Sequence, residues 1–302
     1  MRIAVLASPD AWHFLDLKRA AAGRHDVFDF PFDTLAANIG LDRTFNLNAD
    51  CVVVRTMPLG SLQQVVFRMD MLGQLSRTGT LVLNSPKSIE AAVDKYLSLA
   101  LLDGANIPVP STGVCQDLES ALECFEILGK DVVVKPLFGS MGNGIMRIQE
   151  LNDAKELFGD LIENGSVVYQ QEFIEHDGYD IRMLVIGDEV FGMKRVNRSS
   201  WITNISQGGT GVPYLPTAYE KDIAMGAARV VGAHFAGVDL MYESGTGRLV
   251  VLEINAVPGW RATTSVLGID VAELMLTEIE HLKSSSYVDV ATGLNLDGDG
   301  GF

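Results

Sequence analysis

Lys135 stands at the end of the apolar run Val132-Val133-Val134, and glycines follow it at positions 139, 142 and 144. A lysine closing a buried strand supplies a fixed positive charge. Glycines beyond it let the backbone approach a ligand, with N–H groups free to cradle phosphate oxygens. No Gly-Lys-Ser/Thr follows the glycines, so this is not a Walker A loop, and the spacing is not that of a dinucleotide fingerprint. Taken alone, such a loop also serves as an ordinary hairpin turn. A second constellation lies further along: Asp239 in AGVDL, and Glu253 and Asn255 in VVLEIN, each within an otherwise apolar strand. Period-two geometry puts Glu253 and Asn255 on one face, where an adjacent strand could bring Asp239 beside them. Two carboxylates and an amide oxygen suit a magnesium ion bound jointly with phosphates. Buried without a cation, the carboxylates would repel one another and be costly to desolvate. Standing at strand ends in water, they would carry no such meaning. The third signal, Gln171-Glu172-Phe173-Ile174 followed by Asp180-Ile181-Arg182, is weaker. Such a segment can hold a nucleoside through main-chain bonds to the base and a carboxylate on the ribose, and it can equally be an ordinary strand end.

These residues need a scaffold, and the hydrophobic pattern predicts one of alternating strands and helices. Residues 2–7 and 51–54 read as short buried strands, 61–77 as a helix with apolar residues at helical spacing, and 80–83 as a further strand. This alternation predicts a small open α/β lobe over residues 1–85. Ser88 is the expected N-cap of a helix running to Asp103. Beyond it the pattern predicts helices over 117–129, 152–164 and 217–234. Strands are expected over 131–135, 167–171, 237–242 and 248–254, with a hairpin-like pair at 180–186 and 189–196. A last helix is expected over 270–283, after which the Gly/Asp/Ser-rich segment 284–302 reads as a disordered tail.

Composition narrows the function classes. At 302 residues and 47% hydrophobic, the chain is long enough for more than one lobe. It has no apolar stretch long enough to span a membrane, and its first residues read as a strand rather than a signal peptide. Cys51, Cys115 and Cys124 lack metal-ligand spacing and sit in apolar segments, which points to a reducing cytoplasm. A formal charge of −16 argues against general nucleic-acid binding, and is explained by solubility or by a cationic partner.

In their order along the chain the motifs resemble the ATP-grasp superfamily and, within it, the RimK-type α-L-glutamate ligases. The resemblance runs from about Asn84 to Ala272. It comprises Asp94-Lys95, VVKPLFGSMGNG at 133–144, QEFI at 171–174, DIR at 180–182, Thr203-Asn204, Gly208-Gly209, AGVDL at 236–240, LEINAVPG at 252–259 and GIDVA at 268–272. It implies an α/β fold: an N-terminal open α/β pre-ATP-grasp domain at 1–85, then an ATP-grasp domain at 86–283 with a lid at about 110–175. It also implies roles. Lys95 and Lys135 would contact ATP phosphates, under a loop that includes Gly139, Ser140, Gly142 and Gly144. Glu172, Phe173 and Ile174 would line the adenine site, Asp180 would bind the nucleoside, and Asn204 would face the phosphates. Asp239, Glu253 and Asn255 would hold Mg2+ or Mn2+. Arg182, Arg195 and Arg261 are the candidates for a substrate carboxylate or an acyl phosphate, because arginine's fork fits both bidentately; each could equally serve in a structural salt bridge. The family often has an arginine before Thr-Asn where this chain has Ile202, so either Arg198 substitutes from the turn or the substrate choice differs.

The expected activity is an ATP- and magnesium-dependent ligation that activates a carboxylate as an acyl phosphate and couples it to an amine. L-glutamate is the expected amine, and the acceptor a pterin-type cofactor, a small molecule or a protein C-terminus. The segments Arg55–Ser61 and Arg68–Asp70 resemble RimK-like proteins of the tetrahydromethanopterin branch. The resemblance makes a homo-dimer or homo-tetramer the expected assembly. Two rival readings stand beside this one: another phosphoryl transfer on the same fold, and a non-catalytic nucleotide-binding module. His13, His25, His176 and His234 are isolated in sequence, and nothing suggests a covalent enzyme intermediate.

Overall fold

The structure is a computed structural model that describes residues 1–40, 46–139 and 142–292, with side chains as far as residue 285. The chain divides into two compact units. The first comprises Met1–Pro86, Gly259–Thr264 and the residues from Gly268 onward; the second comprises Lys87–Pro258 and Ser265–Leu267.

The first unit begins β1 (Arg2–Leu6), α1 (Trp12–Ala20), β2 (Asp26–Asp29), β3 (Cys51–Val54), α2 (Leu62–Arg77) and β4 (Leu81–Leu83). Its four strands form a parallel sheet in the order β2-β1-β3-β4. β3 is buried along its whole length, and β1 after its first residue, as parallel strands covered on both faces must be. Ser61 caps α2 reciprocally with Gln64, satisfying donors that the helix start would otherwise leave open.

The second unit opens with α3 (Pro86–Val93) and α4 (Lys95–Gly104). A single helix from Ser88 to Asp103 is therefore not what forms. Asp94 is extended and its carboxylate accepts the N–H groups of Tyr96 and Leu97, so it ends one helix and caps the next. Ser88 is buried inside α3 and donates to the Gly232 carbonyl. The stretch expected as a lid contains β5 (Thr112–Cys115), α5 (Leu118–Ile127), β6 (Val132–Lys135), β7 (Met146–Ile148), α6 (Leu151–Glu163) and β8 (Val168–Glu172). These strands form an antiparallel sheet, β5-β8-β6-β7, whose core joins Ala121 and Phe125 of α5 to Ala154 and Phe158 of α6 and Val132, Val134 and Val168 of the sheet.

Then come β9 (Tyr179–Ile186), β10 (Glu189–Val196), β11 (Thr210–Tyr214), α7 (Ala218–Val230), β12 (Phe235–Tyr242) and β13 (Leu249–Asn255). They build a five-stranded antiparallel sheet in the order β11-β10-β9-β12-β13. α8 (Arg261–Leu267) follows, and α9 (Val271–Thr292) buries Val271, Ala272, Met275, Leu276 and Ile279. By compactness α9 groups with the first unit, and its helix is described as far as Thr292, within the segment expected as a tail. Residues 293–302 lie outside the described residues. Among the described residues no helix is long and apolar enough to cross a membrane.

Candidate active site

Four charged side chains are squared up by strand register in the second unit. β10 pairs with β9 so that Arg195 stands opposite Asp180, and β12 pairs with β9 so that Asp239 stands opposite Arg182. Asp180 and Arg182 are two residues apart on β9 and share a face. Arg195 grips Asp180 with two nitrogens, Nε donating at 2.7 Å and Nη2 to the second oxygen. The same Nη2 lies 2.8 Å from Asp239 Oδ2. Arg182 Nη1 is 3.0 Å from Asp239 Oδ1, yet that buried oxygen has no hydrogen-bond partner, so the contact is an ion pair without a directed hydrogen bond. A side chain at Gly237 would collide with the Arg182 guanidinium and Pro258; space, not backbone conformation, demands glycine there. Burial alone would raise the Asp239 pKa, but Arg182 and Arg195 bring it below the usual carboxylate range.

Glu253 stands directly opposite Asp239 on β13. Burial and then the Asp239 charge raise its pKa, with Lys95, Lys135 and Arg182 opposing. The register slips between the pairs Asp239–Glu253 and Leu240–Val251, leaving Leu252 as the extra residue of a β-bulge. Because of that bulge, Leu252 and Glu253, although consecutive, both line one cavity, with Asp239 and Met241 facing them from β12. Lys135 enters the same cavity from the end of β6. Its Nζ donates to Gln171 Oε1 at 2.6 Å, and Gln171 is itself fixed by donating to Thr112 Oγ1 at 3.0 Å. Burial brings the Lys135 pKa down to about 8, against the pull of Glu253 and Asp239. Lys95, at the first position of α4, donates to the Gly139 carbonyl at 2.9 Å.

The glycine-rich loop is described at Gly139 and from Gly142 onward; Ser140 lies outside the described residues. Gly142 and Gly144 have φ of +73° and +70°, the left-handed region that favours glycine. A Cβ on Gly142 would lie 3.0 Å from Asn204 Oδ1, so the bare backbone is what lets loop and Asn204 meet. Gln207 adds a bond to Asn143 at 3.2 Å. The far end of the cavity is apolar: Phe173, Ile174, Trp201, Met241 and Leu252 line it. The Phe173 ring is clamped between the Arg147 guanidinium, 3.4 Å from its centre, and the edge of Trp201. A cavity with an apolar end and a cationic, carboxylate-bearing end suits a nucleoside triphosphate.

A family model described as the RimK-like ATP-grasp domain matches residues 92–279, more than half of the chain. The chain belongs to the RimK-like ATP-grasp family. Among its relatives is the tetrahydromethanopterin:α-L-glutamate ligase of Methanosarcina acetivorans, 33% identical over 77% of this chain and 80% of that one. The ribosomal protein bS6–L-glutamate ligase of Escherichia coli is 32% identical over 72% of this chain and 73% of its own. The fold matches a RimK domain ATP-grasp protein of Sphaerobacter thermophilus with a TM-score of 0.73 and 23% identity, over 91% of this chain and 98% of the other. The ATP-grasp ligase PsnB, complexed with a minimal precursor, matches with the same score and identity over 92% and 98%. The chain is thus an ATP-grasp ligase, an enzyme of ATP-dependent carboxylate–amine ligation.

Within this RimK-like domain the cavity gathers Lys135, Gly142, Glu172, Phe173, Ile174, Asp180, Arg195, Asn204, Asp239 and Glu253. Arg182 acts on it through Asp239, and Lys95 through the loop backbone and its charge on Glu253. Several of the expected site residues have partners within the protein. Both oxygens of Asp180, expected on the nucleoside, are engaged by Arg195. Glu172 lines the cavity, but its Oε1 accepts from Arg248 at 2.8 Å and from the Ser111 N–H at 2.9 Å. The Asn255 side-chain oxygen accepts the Val257 N–H at 2.8 Å, at the turn that leaves β13. Arg261 belongs to the first unit and is not among the lining residues. Met241 and Leu252 escaped the sequence reading. Met241 is two residues from Asp239 on the same face and could have been found by period two, whereas Leu252 depends on the bulge.

Among the described residues no three or more His, Cys, Asp or Glu side chains are grouped to hold a metal by themselves. Asp239 and Glu253 nevertheless fit a hard cation shared with a ligand's phosphates: one buried oxygen lacks a hydrogen bond, and the pair repel each other across the strands.

Proposed function

We propose that this ligase joins L-glutamate, through its amine, to the carboxylate of an acidic acceptor, with an acyl phosphate as intermediate. The supporting observation is the charge layout of one cavity, in which Lys135, Glu253 and the ion-pair chain Arg182–Asp239–Arg195 stand together with apolar lining residues. In this reading Lys135 and Lys95 hold the phosphate chain of ATP, and the backbone at Gly142 and Gly144, beside Asn204, helps exclude water that would hydrolyse the intermediate. Ile174, Met241 and Leu252 take the adenine. Arg195 is held rigid by Asp180 and, with Arg182, offsets charge as the phosphoryl group moves to the acceptor carboxylate. Mg2+, or Mn2+, would be held by Asp239 and Glu253 with Asn255 beside them, and would supply Lewis-acid neutralisation of the phosphate oxygens. The acceptor carboxyl oxygen attacks the γ-phosphorus and ADP leaves; the glutamate nitrogen then attacks the acyl carbon and phosphate leaves.

The names of the relatives make a pterin-type acid the first acceptor to try. A protein acceptor is the second, because a chain of net charge −16 attracts a basic tail. We place the enzyme in the cytoplasm, where its three free cysteines stay reduced, as a homo-dimer or homo-tetramer. The deciding experiment incubates enzyme, ATP, Mg2+ and L-glutamate with each acceptor class and follows products by mass spectrometry. The expected result is a mass gain of one or more glutamyl residues that needs both ATP and glutamate. A stable phosphorylated acceptor formed without any amine would replace ligation with simple phosphoryl transfer.

A further inference from the structure

The segment between β10 and β11 carries the cavity-lining run Trp201-Ile202-Thr203-Asn204. This run is neither strand nor helix, so no regular ladder fixes its backbone polar groups. Asn197, just past the end of β10, supplies partners from a single side chain. Its Nδ2 donates to the Ile202 carbonyl at 2.7 Å and to the Gln207 carbonyl at 3.3 Å. Its Oδ1 accepts the Ser199 N–H at 3.1 Å and the Ser199 hydroxyl at 2.9 Å. Its own N–H donates to the Gly178 carbonyl at 2.9 Å, which ties the segment to the turn before β9. A side-chain amide has two donor hydrogens and an oxygen with two lone pairs, and here all four are taken. Asn197 is only 4% exposed, so water does not readily replace these bonds.

The two carbonyls held by Nδ2 belong to residues that flank Asn204 on either side. Between them the Asn204 carbonyl accepts the N–H groups of Gln207 at 2.9 Å and Gly209 at 3.1 Å, and Thr203 is buried. The turn is closely packed: a Cβ on Gly209 would lie 2.0 Å from the Thr203 carbonyl oxygen. His176 acts one residue earlier, its Nδ1 accepting the Gly178 N–H at 3.2 Å while the ring also bonds the Trp201 backbone. Asn204 is thus fixed through the backbone on both sides. Its side chain stands against Gly142 of the glycine-rich loop, at the cavity that Lys135 enters. Aspartate at position 197 would keep the shape and lose the function, because carboxylate oxygens would face two carbonyl oxygens.

We propose that Asn197 is a positioning residue for nucleotide binding: its amide holds this segment so that Asn204 faces the phosphates of ATP. The inference rests on the reading above, which puts ATP in this cavity with its phosphates held by Lys135. Asn197 is not among the lining residues, so it acts on the nucleotide through Asn204.

The test is a double-variant cycle on the full chain, read by calorimetric titration with a non-hydrolysable ATP analogue and Mg2+. Asn197→Asp should weaken the analogue about tenfold, as loss of a buried hydrogen-bonded group does, and Asn204→Ala should weaken it by a similar factor. The two changes together should cost no more than the larger one alone, because the first works through the second. Adenosine, which lacks phosphates, should bind the parent and both single variants alike. The shift of the Trp201 indole N–H signal reports that binding, and with three tryptophans in the chain it is readily assigned from a Trp201→Phe variant. Should Asn197→Asp not fold, Asn197→Ser, neutral but too short to span both carbonyls, takes its place in the cycle under the same expectations. The proposal is overturned if either single variant binds the analogue as the parent does, if the two losses multiply, or if adenosine is weakened equally. Failure of the reading beneath it would look different. Adenosine that left Trp201 unmoved in the parent would remove ATP from this cavity. A parent that bound the analogue but gave no ATP-dependent glutamylated product would fail as a glutamate ligase, with the binding cycle intact.

Discussion

Around β9, β10 and β12 two arginines share two carboxylates inside the protein; along α1 and α9 two arginines meet carboxylates at its surface. Arg195 and Asp239 are both about 95% buried, and each has more than one partner. Arg19 and Arg24 instead reach Asp270 and Glu273 from side chains 55% and 38% exposed. The distances are alike, at 2.6–2.8 Å for the surface pairs and 2.8 Å for Arg195–Asp239. Geometry alone does not separate the two settings; solvent does. Water screens the surface pairs and hydrates either partner when the other leaves. In the interior a charge deprived of its partner has no such refuge. The buried set can therefore hold arginines rigidly toward a substrate, and it carries the larger penalty when broken.

The largest expected effect separates chemistry from stability at one point of the buried set. Glu253→Gln should lower ligation by about a hundredfold to a thousandfold, as removal of a preorganised electrostatic group does, measured as ADP release with acceptor and glutamate present. It should not lower the melting temperature. The Glu253 pKa is raised in the fold, so the folded state binds the extra proton and ionised Glu253 costs stability at neutral pH. That cost disappears as pH falls below the unfolded value of about 4.3, so the variant should gain stability at pH 7 and lose that advantage in acid. Asp239→Asn should lose activity and stability together, because Arg182 loses its counter-charge and Arg195 keeps only Asp180. If Glu253→Gln unfolded the protein while Asp239→Asn left it intact, the assignment of the two carboxylates would be reversed.

Next in size is the Asp180–Arg195 pair. Removing one partner, as in Asp180→Leu, leaves Arg195 with Asp239 alone and should cost about 3–5 kcal/mol, read from urea unfolding. Replacing both with apolar residues should restore much of that stability and none of the activity. A surface-type pair would show neither behaviour.

How much of this was legible in the sequence follows the same division. Lys135 and its loop could be read because the order of the other motifs decided against an ordinary hairpin turn, and Asp239 and Glu253 because a carboxylate in an apolar strand is conspicuous. Their pairing across β12 and β13 then needed only neighbouring strands. The partner of Asp180 was not legible: it depends on where β10 pairs with β9, and a shift of one residue would have turned Arg195 to the other face. Leu252 was hidden for a related reason, since a bulge breaks the alternation on which the reading relied. Asp94 reads as one more polar residue in a long helix, although its extended backbone divides α3 from α4. Arg261 was placed with the other arginines by motif order, yet it folds with the first unit, because a segment after β13 returns there.

A smaller effect concerns the lysine beside the buried set. The Lys135 pKa lies at about 8, so its charge is lost on raising pH through that value rather than near the usual 10.4. Affinity for a metal-free ATP analogue should therefore fall as pH rises past about 8, followed by calorimetric titration. Lys135→Arg should flatten that profile, since arginine stays charged. The unfolded chain keeps the lysine proton up to its ordinary value, so between about 8 and 10.4 the parent's stability should rise with pH. A profile that breaks only above pH 10 would put Lys135 in contact with water.

The smallest effect is the control that completes the comparison. Arg24→Ala removes contacts to Glu273 at 2.6 Å and Glu280 at 3.5 Å, and Arg19→Ala removes those to Asp16 and Asp270. Each freed carboxylate is partly exposed or retains another partner: His25 Nε2 stays 2.6 Å from Glu280, and Trp260 still donates to Asp16. Either change should therefore cost about 0–1 kcal/mol, and less at high salt, where an exposed pair is screened. The buried Asp180→Leu penalty should be nearly independent of salt. Denaturant midpoints for these variants at low and high ionic strength test the distinction directly. A surface variant costing as much as Asp180→Leu would show that α9 is anchored to the first unit by its charges rather than by Val271, Leu276 and Ile279. Truncating those apolar residues would then matter little, against the 2–5 kcal/mol expected for buried aliphatic side chains.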